Sequence, residues 1–133
     1  MKRIFIAFIF IGISICIGIF SQNRTDQICN NMIIRIESLT KELEQVSETE
    51  NHDKRINFYN STINLKDSWE ENSTFFYFFF KNDELKTLET NIEKLEEHAK
   101  NGEYESSYLC IIECLEELEY IKNSTKLKLN NVF

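Results

Sequence analysis

The pattern of apolar and polar positions divides the chain into two parts. Residues 4–20 form an unbroken apolar run that contains no charge and directly follows Lys2 and Arg3. As a helix that rises about 1.5 Å per residue, this run is roughly 26 Å long, which is enough to cross the hydrocarbon core of a thin bilayer. After Ser21 the sequence is polar, with apolar residues at regular intervals. The pattern predicts a transmembrane helix at residues 1–21 and a water-exposed domain at residues 22–133.

A cleaved signal peptide is the alternative interpretation of this leader. The run is longer than the usual apolar region of about 7–15 residues, and no Ala-x-Ala cleavage site follows it. Bulky Ile15 also disfavours lipid attachment at Cys16. These features favour an uncleaved signal anchor. Lys2, Arg3 and the terminal amine predict a cytoplasmic N-terminus. We therefore expect a single-pass protein of the cell membrane whose C-terminal domain is extracytoplasmic.

Four amphipathic segments follow the leader, and each predicts a helix. They cover residues 22–48, 52–80, 83–100 and 103–128, and the first can continue the leader without a break. Their apolar stripes consist, in order, of Ile28, Met32, Ile36, Leu39, Leu43 and Val46; Phe58, Leu65, Trp69 and Phe76; Leu85, Leu88, Ile92 and Leu95; and Tyr104, Tyr108, Ile111, Leu115 and Leu118. Asn82 or Asp83 is expected to cap the third helix, and Asn101-Gly102 to end it. The predicted fold is all-α: a transmembrane helix followed by an antiparallel bundle of about four helices.

The net charge of the domain limits the classes of partner that it is expected to bind. Beyond Lys2 and Arg3, 13 of the 15 basic residues lie in the exported part with all 22 acidic ones, which gives this part a net charge of about −9. Such a surface repels phosphate backbones and anionic headgroups. The charge therefore argues against nucleic acid as a partner and against membrane binding through a basic patch.

Residues 75–80, with the sequence FFYFFF, are the most unusual local feature. Aromatic residues favour strands, but helical patterns enter and leave this segment, so it is assigned to the end of the second helix. One interpretation is that its rings fill the core from several directions. The other is an exposed aromatic patch that binds a partner protein, a lipid surface or an apolar ligand. The candidate interaction residues are Trp69, Phe75, Phe76, Phe79 and Phe80.

The sequence gives little indication of catalysis or of a bound metal. Cys29, Cys110 and Cys114 are expected to be small buried hydrophobic residues, with a disulfide from Cys29 to either Cys110 or Cys114 as the alternative in an oxidising compartment. The acidic clusters lack the Glu-x-x-His pairs of a di-iron bundle, because Leu95 stands three residues before His98. Two histidines and no phosphate-binding loop favour a protein that is not an enzyme, with no cofactor and no metal.

The overall layout resembles a known family. The anchor ending near Phe20, the isolated Trp69, the Glu84-Leu85 helix start, the Asn101-Gly102-Glu103 turn and the terminal sequence LNNVF are its markers. They are similar to the small bacterial membrane proteins of domain-of-unknown-function family 4363, of clostridial type. Members often carry a histidine where this chain has Asn82, so a role for that histidine does not transfer. The resemblance implies a single-pass protein with an all-helical exported domain, and it implies no activity.

Together, these features predict a membrane-anchored helical protein that acts as a structural or protein-interaction module. Its expected partners are lipid around the leader, and a second copy of the chain or another membrane protein. The alternative function is binding of an apolar ligand or lipid in an aromatic-lined pocket near Trp69 and residues 75–80.

Overall fold

The computed structural model describes the backbone of residues 1–132 and the side chains of residues 1–125. The described residues form four helices and no strand: α1 (Lys2–Glu48), α2 (His52–Phe79), α3 (Asn82–Asn101) and α4 (Tyr104–Val132). The predicted all-α fold is confirmed. The aromatic run at residues 75–79 is helical, so the strand interpretation is excluded.

α1 is one continuous helix that serves both parts of the chain. Its 47 residues are about 70 Å long, and no proline interrupts it. The first half is exposed and strongly apolar, with a mean hydropathy of 2.7 over its most apolar 18-residue window. By length and composition, this half is able to cross a membrane. From Thr25 onward the same helix buries one face in the bundle.

The four helices pack in a ring. α1 contacts α2 and α4, and α3 contacts the same two helices from the other side. Residues 49–51, 80–81 and 102–103 connect neighbouring helices. Connections this short reverse the chain at once, so neighbouring helices are antiparallel. The bundle therefore encloses one core, to which each helix contributes a single stripe.

The stripes predicted for the first three bundle helices are confirmed. Every residue named for them is buried: Ile28, Met32, Ile36, Leu39, Leu43, Val46, Phe58, Leu65, Trp69, Phe76, Leu85, Leu88, Ile92 and Leu95. These residues recur three and four positions apart, which places them on one face of a helix. The α1 stripe is used inside its own bundle, so it is not a free surface for dimerisation.

The stripe predicted for α4 is partly wrong. Ile111 and Leu118 are buried, but Tyr108 is exposed, and Tyr104 and Leu115 only line the edge of the core. The buried face also includes Ser107, Cys110, Cys114, Ile121 and Thr125, and all of these except Ile121 have small side chains. α4 carries apolar residues around its circumference between positions 108 and 112, so apolar character alone does not indicate which side faces inward.

The helix ends follow local chemistry with one correction. Asn51 caps α2, since its side-chain oxygen accepts a 2.9 Å hydrogen bond from the backbone N–H of Asp53. Gly102 ends α3 as expected, with a left-handed φ of 74°. The predicted cap at Asn82 or Asp83 is wrong. The cap position of α3 is Lys81, without a side-chain cap bond, because the helix begins one residue earlier than predicted.

Candidate interaction surface

The aromatic segment occupies the last turns of α2 and the connection to α3. Phe76 and Phe80 are buried, Phe75 and Phe79 are half-buried, and Phe78 is 83% exposed. A helix turns by about 100° per residue, so Phe78 lies about 200° from Phe76. That geometry places Phe78 on the opposite side of α2 from the core. Rings of this segment therefore both fill the core and reach the surface, and binding by the exposed rings stays a prediction.

The rings touch one another in a continuous chain that leads from solvent to the core. Phe78 packs against Phe79 at a centroid distance of 5.0 Å, and Phe79 against Phe75 at 4.9 Å. Phe75 meets Phe76 at 5.7 Å, and Phe76 stacks on Trp69 at 5.5 Å. The inner rings lie in the core, and the outer three extend this ring contact to the surface. We call Phe75, Phe78 and Phe79 the aromatic tip.

The structure separates the five candidate interaction residues into two groups. Trp69, Phe76 and Phe80 belong to the buried core. Phe75 and Phe79 reach the surface, together with Phe78, which the sequence-based selection left out. The positions of the buried residues relative to Trp69 could have indicated this. Phe76 and Phe80 lie 7 and 11 residues after Trp69 on the same stripe, whereas Phe78 lies nine residues after it and off that stripe.

Polar contacts on the neighbouring face fix α2 against α3. The Tyr77 hydroxyl donates a 2.5 Å hydrogen bond to a carboxylate oxygen of Glu89, and Lys66 pairs with Glu96 at 2.9 Å. The bond to Glu89 raises the pKa of Tyr77 to about 12, and burial adds to this rise. The last turns of α2 are thus held on one side by packing and on the other by hydrogen bonding.

The hydrogen bond between Ser61 and Glu42 shows how far along the bundle axis the aromatic tip lies, which we call its height. The Ser61 hydroxyl on α2 donates to a Glu42 carboxylate oxygen on α1 at 3.0 Å. Antiparallel helices advance by the same rise per residue in opposite directions. Phe78 lies 17 residues after Ser61, so it is level with Thr25, which lies 17 residues before Glu42. The tip is therefore at the end of the bundle from which the apolar half of α1 emerges.

The buried thiols are placed as small core residues. Cys29, Cys110 and Cys114 are all buried, and all are free thiols, so the alternative bridge from Cys29 is not formed. Burial raises the pKa of the Cys29 thiol to about 12, with Asp26 adding to the rise, and burial also raises those of Cys110 and Cys114. A thiol with a raised pKa stays protonated near neutral pH, and it is a poor nucleophile in that form.

The acidic residues described on α3 and α4 make separate pairwise contacts. Among the described residues, no three His, Cys, Asp or Glu side chains are arranged to hold a metal ion. Glu117 accepts a 2.9 Å hydrogen bond from the Asn91 amide across the α3–α4 interface. Nδ1 of His98 pairs with a carboxylate oxygen of Glu103 across the Gly102 turn. These contacts join the two helices of one hairpin.

Comparison with known proteins gives no match. No protein-family model, no curated protein and no solved structure matches this chain. The resemblance to family 4363 therefore stays a prediction. The geometry of the chain itself is the basis for its proposed function.

Proposed function

We propose that this chain is a single-pass membrane protein whose helical bundle lies outside the cytoplasm and serves as a structural or protein-interaction module. The observation that carries the proposal is the continuity of α1. One helix provides the exposed apolar segment and one wall of the bundle, so the bundle is joined to the membrane segment without a linker. The resemblance to family 4363 is consistent with this role, and the role requires no catalysis.

The distribution of charge supports the orientation. Lys2, Arg3 and the terminal amine stand directly before the apolar run at the exposed start of α1, whereas the nearest basic residues beyond it are Arg24 and Arg35. Basic residues beside a membrane helix favour the cytoplasmic side. This orientation leaves the N-terminus inside and residues 22–133 outside the cell membrane.

Reporter fusions in a bacterial host test the orientation. Alkaline phosphatase joined after Phe133 should be active, and a green fluorescent protein at the same place should be dark. In the matched variant with Lys2→Glu and Arg3→Glu, phosphatase activity should fall as inverted molecules appear. A fluorescent C-terminal fusion in the native chain would refute the orientation. A mature N-terminus at residue 19 or later, read by mass spectrometry, would refute the retained anchor.

Crosslinking in native membranes tests the interaction role. The full chain should give crosslinks to a second copy or to another membrane protein, identified by mass spectrometry of the linked peptides. Links confined to pairs within one bundle, such as the neighbouring Lys66 and Glu96, would argue against a protein-interaction module.

Binding of an apolar ligand is a second candidate, favoured by one observation. The indole N–H of Trp69 is buried and donates to no acceptor among the described side chains. A ligand with one acceptor atom and an apolar body would satisfy it. Native mass spectrometry of the purified protein should then show a co-purified lipid that is lost in Trp69→Phe. Identical apo masses for both proteins would rule this function out.

A further inference from the structure

We infer that the aromatic tip inserts into the headgroup layer of the membrane that holds α1, so that the bundle rests on the bilayer surface. The tip consists of Phe75, Phe78 and Phe79, and its occupant is the lipid of the surrounding leaflet. The inference depends on the proposed membrane anchor. It adds a second membrane contact, made by the exported domain itself.

The tip is an exposed apolar surface rather than a single exposed side chain. Phe78 is 83% exposed, and its ring lies against Phe79, which in turn lies against Phe75. Isolated apolar residues are common on protein surfaces, but contiguous apolar patches mark contact sites. Phe75 and Phe79 are half-buried against the core, so the exposed Phe78 ring stands on packed neighbours.

Height along α1 identifies lipid as the occupant. The apolar run ends at Phe20, and the level of Phe78 corresponds to Thr25, five residues or about 8 Å further along the helix. The headgroup layer of a bilayer adds about 5–8 Å on each side of a hydrocarbon core of about 30 Å. Because residues 4–20 cover only about 26 Å of that core, the level of Thr25 falls within the headgroup layer.

Lateral position leads to the same occupant. Packed helices lie about 8–10 Å apart, so α2 stands directly beside α1 over the same leaflet. α1 has no break between Phe20 and Thr25 that would let the bundle tilt away. A soluble partner protein would have to displace lipid to reach rings at this height. Phe is among the residues with which interfacial helices bury an apolar face at the boundary between headgroups and acyl chains.

Charge indicates how the tip binds. Lys81 is exposed next to the tip, but the exported part is strongly acidic overall. The contact must therefore come from burial of the rings and not from attraction to anionic lipid. It should form on zwitterionic phosphatidylcholine, and it should not weaken when salt is added.

Quenching by brominated lipid tests the inference on the full chain. Phe78→Trp places a reporter at the tip, while native Trp69 is 1% exposed and gives a constant background. The protein is reconstituted into phosphatidylcholine vesicles with or without lipids brominated in the upper acyl chain. Relative to the native protein, the added Trp emission should shift to the blue and lose intensity with brominated lipid, at low and high salt alike.

Leu109→Trp is the matched control. Leu109 is also an exposed apolar residue, but it lies 13 residues before Lys122, whose amine bonds to Asn30 of α1 at 2.8 Å. It is therefore level with Leu43, near the far end of α1. Its Trp emission should be the same with and without brominated lipid. Circular dichroism should show unchanged helix content in both variants, since both sites are exposed.

The outcomes separate the two proposals. Quenching at position 78 but not at 109 supports the inference. If neither position is quenched while the protein stays with the vesicles after an alkaline wash, the anchor stands and the inference is overturned. If the wash removes the protein, the membrane anchor itself fails, and the inference fails with it.

Discussion

Trp69 and Phe78 stand nine residues apart on α2 and have opposite environments. Trp69 is enclosed in the core and stacked on Phe76, while Phe78 is almost fully exposed. The sequence predicted correctly that the segment is helical and that part of it fills the core. It could not indicate how far Phe75 and Phe79, which lie beside the stripe, are covered, because that depends on how closely α1 and α3 approach α2.

Replacing each ring with alanine should separate these environments. Trp69→Ala should lower the free energy of unfolding by about 3–5 kcal/mol, because the deletion leaves a cavity. Phe78→Ala should change it by less than about 0.5 kcal/mol, because the ring fills no space in the core. Urea unfolding of the two variants, followed by circular dichroism, measures both values. Equal midpoints would mean that Trp69 is not a core residue.

Ionisation of the Glu117 carboxyl group costs free energy, because the group is partly buried. One oxygen bonds to the Asn91 amide, and the other is buried without a partner. Burial raises its pKa above the ordinary value of 4.5, and the neighbouring Glu113 and Glu116 add to the rise, while Asn91 opposes it. The folded protein therefore holds this proton more tightly than the unfolded chain. The resulting stabilisation is complete below pH 4.5 and is lost as the pH rises through the raised pKa.

Glu117→Gln should remove this pH dependence, since the amide cannot ionise and its oxygen can still accept from Asn91. The variant should melt at a higher temperature than the native protein at pH 8, and the difference should shrink toward pH 4. Glu119→Gln, an exposed site on the same helix, should not change the shape of the profile. Thermal melts across this range measure the effect. Parallel profiles for Glu117→Gln and the native protein would contradict it.

At the scale of the elements, stripe positions were predictable where apolar residues are sparse. On α1 and α3 the residues between stripe positions are largely polar, so only one face is able to enter a core. On α4 the inner face carries Ser107, Cys110 and Cys114. Small side chains allow neighbouring helices to approach closely. A prediction based on the spacing of large apolar residues tends to overlook them. The error in the predicted α4 stripe follows from that.

The helix caps provide a paired test of the structure. Asn51 bonds to the backbone of Asp53, whereas the side chain of Asn82 caps nothing in the described structure. Asn51→Ala should destabilise the protein by about 1 kcal/mol, and Asn82→Ala by a few tenths at most. Thermal melts of both variants measure the difference. If Asn82→Ala had the larger effect, the start of α3 would be misassigned.

For the whole molecule, the central property is that the apolar segment and the bundle share one helix. The chain has no proline, and it has no glycine between residues 19 and 48. The sequence therefore predicted that one helix could continue from the apolar run into the bundle without a break. The height of the aromatic tip was not predictable, because it depends on the register of α2 against α1. That register is set by packing and by contacts such as Ser61 to Glu42, which connect residues far apart in the chain.

Asn23 lies in the stretch of α1 between the apolar run and the first fully buried bundle residue, Thr25. Asn23→Pro should break the helix there, since proline lacks the N–H that bonds to the carbonyl of Ile19 and its ring clashes with that carbonyl. Hydrogen exchange of the full chain in lipid nanodiscs should show faster exchange at residues 20–26, with the bundle amides unchanged. Asn23→Ala, equally exposed and helix-favouring, should exchange like the native chain. Rapid exchange of residues 20–26 in the native protein would mean that the bundle is flexibly tethered, and a flexible tether would not hold the aromatic tip at the level of the headgroups.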